Sequence, residues 1–178
     1  MTDRIEISPR LEQWAQRAGY TLTPGSCTED GRAIFSSSLG EVRLLVGRSQ
    51  GDWFLITDSD RMGPEHFILS APSIDTIERY FFGRFCMSIR SNLGMPRVRT
   101  PDLDENASAQ FSIGTREFEG VERFALIASD GSTVAIGSAD RVTAKAELTK
   151  LALYVTATID EIEASAFDPD GKPLFAHR

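Results

Sequence analysis

Glu41-Val42-Arg43-Leu44-Leu45-Val46-Gly47, followed after the breaker Gly51-Asp52 by Trp53-Phe54-Leu55-Ile56-Thr57, decides the fold. In the first run Val42, Leu44 and Val46 alternate with Glu41, Arg43 and Leu45. That period of two suits a strand with one apolar face and one partly polar face, and it does not fit a helix. The same period extends outward from Tyr20 to Ser70, which predicts an antiparallel meander with strands at 20–23, 32–36, 41–47, 53–57 and 65–70. Asp30-Gly31 and Gly51-Asp52 supply the glycine that tight turns between such strands require.

Helical periods flank the meander. Ahead of it, Leu11, Trp14, Ala15 and Ala18 form one apolar stripe between the starting signal Ser8-Pro9 and the stop Gly19. Behind it, Ser73 opens a second helix with Ile74, Ile77, Tyr80 and Phe81 on its buried side. Gly83 is expected to interrupt that helix before it resumes from Arg84 to Asn92. Residues 95–109, rich in Pro, Asp and Asn, read as a loop.

A second β unit follows: the hairpin Val121 to Ala128, turn Ser129-Asp130-Gly131-Ser132, and Thr133 to Ile136, with a further strand expected over Phe111 to Phe118. The closing stretch carries Leu148, Leu151, Ala152, Val155, Ile159, Ile162 and Ala166 at helical spacing, and Thr158 with Glu161 marks a second helix start near Ala157. The expectation is an α+β protein of one domain spanning 1–178, in which a meander and a hairpin unit share a core with the helices carrying Trp14, Phe81 and Leu151.

Composition limits the partners. With 26 acidic against 19 basic residues the net charge is −7, so the surface repels phosphate backbones and anionic lipid. Nucleic acid and membrane are therefore disfavoured and not expected as partners, and a basic partner is favoured. One local exception runs from Arg79 to Thr100, where Arg79, Arg84, Arg90, Arg97 and Arg99 stand among aromatics without an acid. Alone it would resemble a nucleic-acid footprint; in so acidic a chain, ion pairing with the protein's own carboxylates or with a partner suits it better. No signal-peptide core and no run of apolar residues long enough to span a bilayer occurs, which points to the cytoplasm.

Catalytic chemistry finds little support. His66 and His177 have no partners at ligand or triad spacing, and Cys27 and Cys86 form no metal or redox pair, so both thiols are expected free and buried. Asp102 with Asp104 and Asp168 with Asp170 sit in expected loops, where aspartate commonly bonds nearby backbone amides. Asp168-Pro169-Asp170-Gly171 lacks the later ligands of a calcium loop, and no phosphate-binding glycine motif occurs. The chain is read as having no catalytic, cofactor or metal site, and as no enzyme.

Three segments together carry a resemblance. Gly51-Asp52-Trp53-Phe54-Leu55-Ile56-Thr57 with Ser59 and Arg61, Ile77-Glu78-Arg79-Tyr80-Phe81-Phe82-Gly83 with Ile89-Arg90, and Asp168-Pro169-Asp170-Gly171-Lys172-Pro173-Leu174-Phe175 resemble mycobacterial antitoxins. They are similar to the immunity factor of the tuberculosis necrotizing toxin and its relatives among polymorphic-toxin immunity proteins. The resemblance implies a cytosolic protein that binds the catalytic domain of a secreted toxin, an NAD-glycohydrolase, and blocks it. A secretion chaperone, which needs an exposed apolar groove, and a small-ligand carrier or enzyme, which needs a deep pocket, are the alternatives. For a partner surface the reading selects the turn carrying Asp58, Asp60 and Arg61, because the strand before it would hold it rigid and its charges suit a polar cleft.

Trp14 tests the helix assignment. Trp14→Ala should cost about 3–5 kcal/mol in urea unfolding if the stripe is buried; a loss under about 0.5 kcal/mol would show that the wrong face was chosen.

Overall fold

The computed structural model describes residues 3–37, 40–105 and 107–177. These form two compact units, Met1–Glu78 and Arg79–Arg178. The class is α+β with antiparallel strand pairing throughout the pairs described below.

The first unit opens with α1 (Pro9–Arg17), whose start is doubly secured. Ser8 Oγ accepts from the Leu11 amide, while Ser8 N–H and O–H both donate to the Glu78 carboxylate, at 3.1 and 2.5 Å. Leu11, Trp14 and Ala15 are buried on the face that the stripe predicted. The meander follows as β1 (Tyr20–Thr23), β2 (Ala33–Ser37), β3 (Val42–Arg48), β4 (Phe54–Asp60) and β5 (His66–Ala71). Each strand pairs antiparallel with the next, with Leu44 opposite Phe35 and Asp58, and Val46 opposite Ala33 and Ile56. Phe35, Leu44, Val46, Ile56 and Leu69 are buried and form the core face.

Two differences from the sequence reading matter here. Leu45 is 2% exposed although it lies on the opposite face, the face on which the Arg32 stem lies against Gly47: a Cβ on Gly47 would come within 2.9 Å of Arg32 Cγ and Cδ. In addition β4 continues through Asp60, so Asp58 and Asp60 are strand residues and the turn begins later than expected.

The boundary between the units falls inside α2 (Ile74–Asn92), which runs without interruption. Gly83 does not break it. A Cβ there would lie 2.1 Å from Cε2 of the buried Tyr154 ring, so the residue is glycine to admit that ring. Beyond α2, the expected loop contains β6 (Val98–Arg99), which pairs with β10 (Ala176–His177), so His177 lies on a short strand.

Next come β7 (Phe111–Phe118), β8 (Val121–Ala128) and β9 (Thr133–Ile136), an antiparallel set whose β8–β9 turn is closed by Asp130 accepting from Ser132. Asp140 caps α3 (Arg141–Thr156) and Thr158 caps α4 (Ile159–Phe167), accepting from the Glu161 amide at 3.1 Å. The helix break near Ala157 falls where the capping pattern put it.

Within the arginine-rich stretch, Arg79 and Arg90 donate to backbone carbonyls, while Arg99 forms an ion pair with one of the protein's own carboxylates, as expected. Arg79 donates to Tyr154 O and Ala157 O at the end of α3. Arg90, 3% exposed, donates to Ser165 O, Asp168 O, Pro96 O and Pro169 O. Cations thus meet the orphan carbonyls that helix C-termini leave. Arg84 donates to the Tyr80 hydroxyl, and Arg99 pairs with Glu105 in two parallel bonds of 3.0 Å. No described helix is long and apolar enough to cross a membrane.

Gly83→Ala separates two effects of opposite sign. Helix propensity alone would stabilise the variant by up to about 1 kcal/mol, whereas overpacking against Tyr154 should destabilise it by about 1–3 kcal/mol. Urea unfolding is expected to show the loss.

Candidate functional site

The candidate site lies at one corner of the first-unit sheet, where β3 and β4 run past each other and β4 turns toward β5. Pairing of Val42 with Asp60 and Arg43 with Ser59 holds the two strands to their ends, and the Arg61 amide adds a 2.7 Å bond to Glu41 O. The turn then closes through Gly63 N–H to Asp60 O at 2.8 Å. Ser59, 1% exposed, ties it from beneath by donating to Gly63 O at 2.8 Å. Gly63 is tightly fitted, since a Cβ there would lie 2.9 Å from Asp60 O.

Between those anchors Arg61 and Met62 have φ of 48° and 60°. Two successive left-handed residues make a type I′ hairpin turn, which favours Asn-Gly. Here both positions carry long side chains, at a cost on the order of 1–2 kcal/mol each. Met62 is 74% exposed, and the Arg61 side chain has no hydrogen bond or ion pair among the described residues.

The structure divides the three residues selected from sequence. Strand alternation sends Asp58 and Asp60 to the face of Leu44 and Val42, and Ser59 to that of Arg43. Asp58 sits 3.5 Å from His66 Nδ1, its register partner across the hairpin. Arg61 is the member on the turn itself. Sequence reading missed Met62 and Gly63, although Asp60-Arg61-Met62-Gly63 ends on the glycine that would have shown the turn's true position.

Beside the turn, on the face that holds Ser59, runs a polar stripe. Arg32 joins Asp30 at 2.7 Å and Glu65 at 2.6 Å, and Thr57 Oγ donates to the same Glu65 oxygen at 2.6 Å. The Thr57 bond and then the Arg32 bond hold the Glu65 carboxyl below its usual range. This stripe crosses the sheet from β2 to β5 and steadies the segment that leads out of the turn.

Other candidates are less organised. A groove of about 390 Å³ runs along α3, lined by Arg141, Lys145, Lys150 and Asp102 among others, and exposed Val142 lies on it. Asp168 is committed to the backbone, accepting from the Asp170 and Lys172 amides. Cys27 is exposed, contrary to expectation, while burial pushes the Cys86 thiol up to about 12 and keeps it protonated.

Because Glu65 has a lower pKa folded than unfolded, it contributes stability above its unfolded value of about 4.3, and that contribution is lost as pH falls below it. Glu65→Gln should therefore lower stability at pH 7 and flatten the decline between about pH 4.5 and 3. Urea midpoints across that range check this; parallel curves for variant and wild type would contradict it.

Comparison with known proteins agrees over nearly the whole chain. The immunity protein 61 family matches residues 14–174. The immunity factor for TNT of Mycobacterium tuberculosis and the immunity factor for TNT homolog of Mycobacterium bovis are each 39% identical over 175 residues, covering 98% of this chain and 96% of theirs. The solved structure of Rv3902c from M. tuberculosis matches with a TM-score of 0.87 at 37% identity, over 99% of this chain and 98% of that one. With an α+β fold and a matching sequence from Trp14 to Leu174, the chain belongs to the immunity protein 61 family.

Proposed function

We propose that this protein is an immunity protein that binds the catalytic domain of a secreted bacterial toxin, an NAD-glycohydrolase, and inhibits it in the cytoplasm of the producing cell. The observation that carries the reading is the full-length likeness, at 39% identity, to a protein named as the immunity factor for TNT. Inhibition is stoichiometric, with no turnover by this chain.

The β4–β5 turn is the contact we assign. A turn that only had to connect two strands would relax with Asn-Gly in place of Arg61-Met62, so the strained pair has a use beyond connection. Arg61 offers five donors in a planar fork, and Met62 a flexible, polarisable end that adapts to an apolar wall. Asp58 and Asp60 stand on the neighbouring sheet face, where they meet basic groups on the rim of the cleft. A secretion chaperone would bind without silencing the toxin, which makes toxin activity the discriminating readout.

The test titrates the TNT catalytic domain, and the toxin domain encoded beside this chain's gene, while NAD consumption is followed. Wild type should abolish consumption at one equivalent and consume no NAD alone. Arg61→Ala should weaken the complex by roughly 30-fold or more, the expected effect of truncating a desolvated charge pair. The double variant Arg61→Asn with Met62→Gly should unfold at higher urea yet inhibit less. Wild type that binds neither toxin sinks the immunity reading for these partners, whereas unimpaired inhibition by both variants sinks only the turn.

A further inference from the structure

We propose that Arg43 is a second anchor, a cation held ready for a carboxylate on an acidic loop of the toxin; the inference rests on the immunity reading. Arg43 is the second residue of β3, opposite Ser36 on one side and Ser59 on the other. Its Nε is buried and has no hydrogen-bond acceptor, and its Nη2 reaches no nearer than 3.5 Å to Ser59 Oγ, whose own proton is given to Gly63 O. Native proteins rarely leave a buried donor unmet, so such an atom calls for an explanation outside the isolated fold.

The contrast with its neighbours sharpens the point. Arg32 is held by Asp30 and Glu65, and Arg48 by Asp3, by Asp52 O and by the Phe54 ring 4.3 Å away. Glu65 does feel the charge of Arg43, but its Oε1 takes Arg32 and Thr57, and no bond from Arg43 to Glu65 is formed. Asp58 and Asp60 are no substitute, because alternation along β4 sends them to the other face. Arg43 and Arg61 therefore flank Ser59 as two guanidiniums with no carboxylate bound among the described residues. Within a chain of net charge −7, a pair of unmet arginines at one corner selects a partner group of negative charge. Arginine suits this use because its planar fork takes a carboxylate in two parallel bonds.

The experiment combines two measurements on the full chain: affinity for the toxin catalytic domain and thermal unfolding of the free protein. Arg43→Met keeps the stem and removes the donors, so the free protein should melt at a higher temperature while toxin binding weakens by at least about 30-fold. Arg43→Lys, which keeps the charge without the fork, should bind between the two. Binding by wild type should fall with added salt more steeply than binding by Arg43→Met. Should Arg43→Met bind as tightly as wild type, or the free variant melt lower, the anchor is overturned while the immunity reading stands. Wild type that fails to bind at all removes both, and that arm is read independently of the variants.

Discussion

A guanidinium cannot shed its charge, so an arginine drawn into a protein interior must find acceptors for its donors. Arg90 meets this demand most completely, with four backbone carbonyls around a side chain 3% exposed. In doing so it joins α2 to the end of α4 and to the segments around Pro96 and Pro169. Removing such a cation would strand carbonyls, and removing the carbonyls would strand a charge, so the second unit holds them together or not at all. Arg79 repeats the arrangement at the end of α3.

The same demand organises the first unit differently. Arg32 is met by carboxylates instead of carbonyls, and its stem lies against Gly47. A strand expected to show a partly polar second face is buried on both sides at Leu44 and Leu45. At the β3–β4 corner the demand of Arg43 Nε goes unmet, and that corner also carries two successive left-handed residues that are not glycine, Arg61 and Met62. Unmet donors and backbone strain are both disfavoured in an isolated fold. Their meeting at one corner is what directs the functional reading to it, since a partner can supply acceptors and contacts that the chain alone does not.

Charge therefore acts at two ranges. The net charge of −7 sets which large surfaces the protein avoids, and the local arginines set what a partner must present on contact. An overall preference for basic partners and a local site for a carboxylate are compatible, because the first works over a Debye length and the second only on desolvation.

By itself the sequence determined the element types and nearly all their positions. Periods of two and 3.6 are written within a few consecutive residues, and so are the caps at Ser8 and Thr158 and the turn at Asp130-Gly131. Family membership was legible for a similar reason, since the matching segments are local strings. What the tertiary structure decided involves groups brought together from far along the chain. Gly83 read as a helix break because nothing near it announces the Tyr154 ring. Ion pairing was legible for Arg99, whose Glu105 is six residues away, but not the setting of Arg90, because carbonyls 75 to 79 residues away have no signature in sequence. Arg43 read as an ordinary outward residue of β3, since a donor is unmet only relative to every other group that might have reached it.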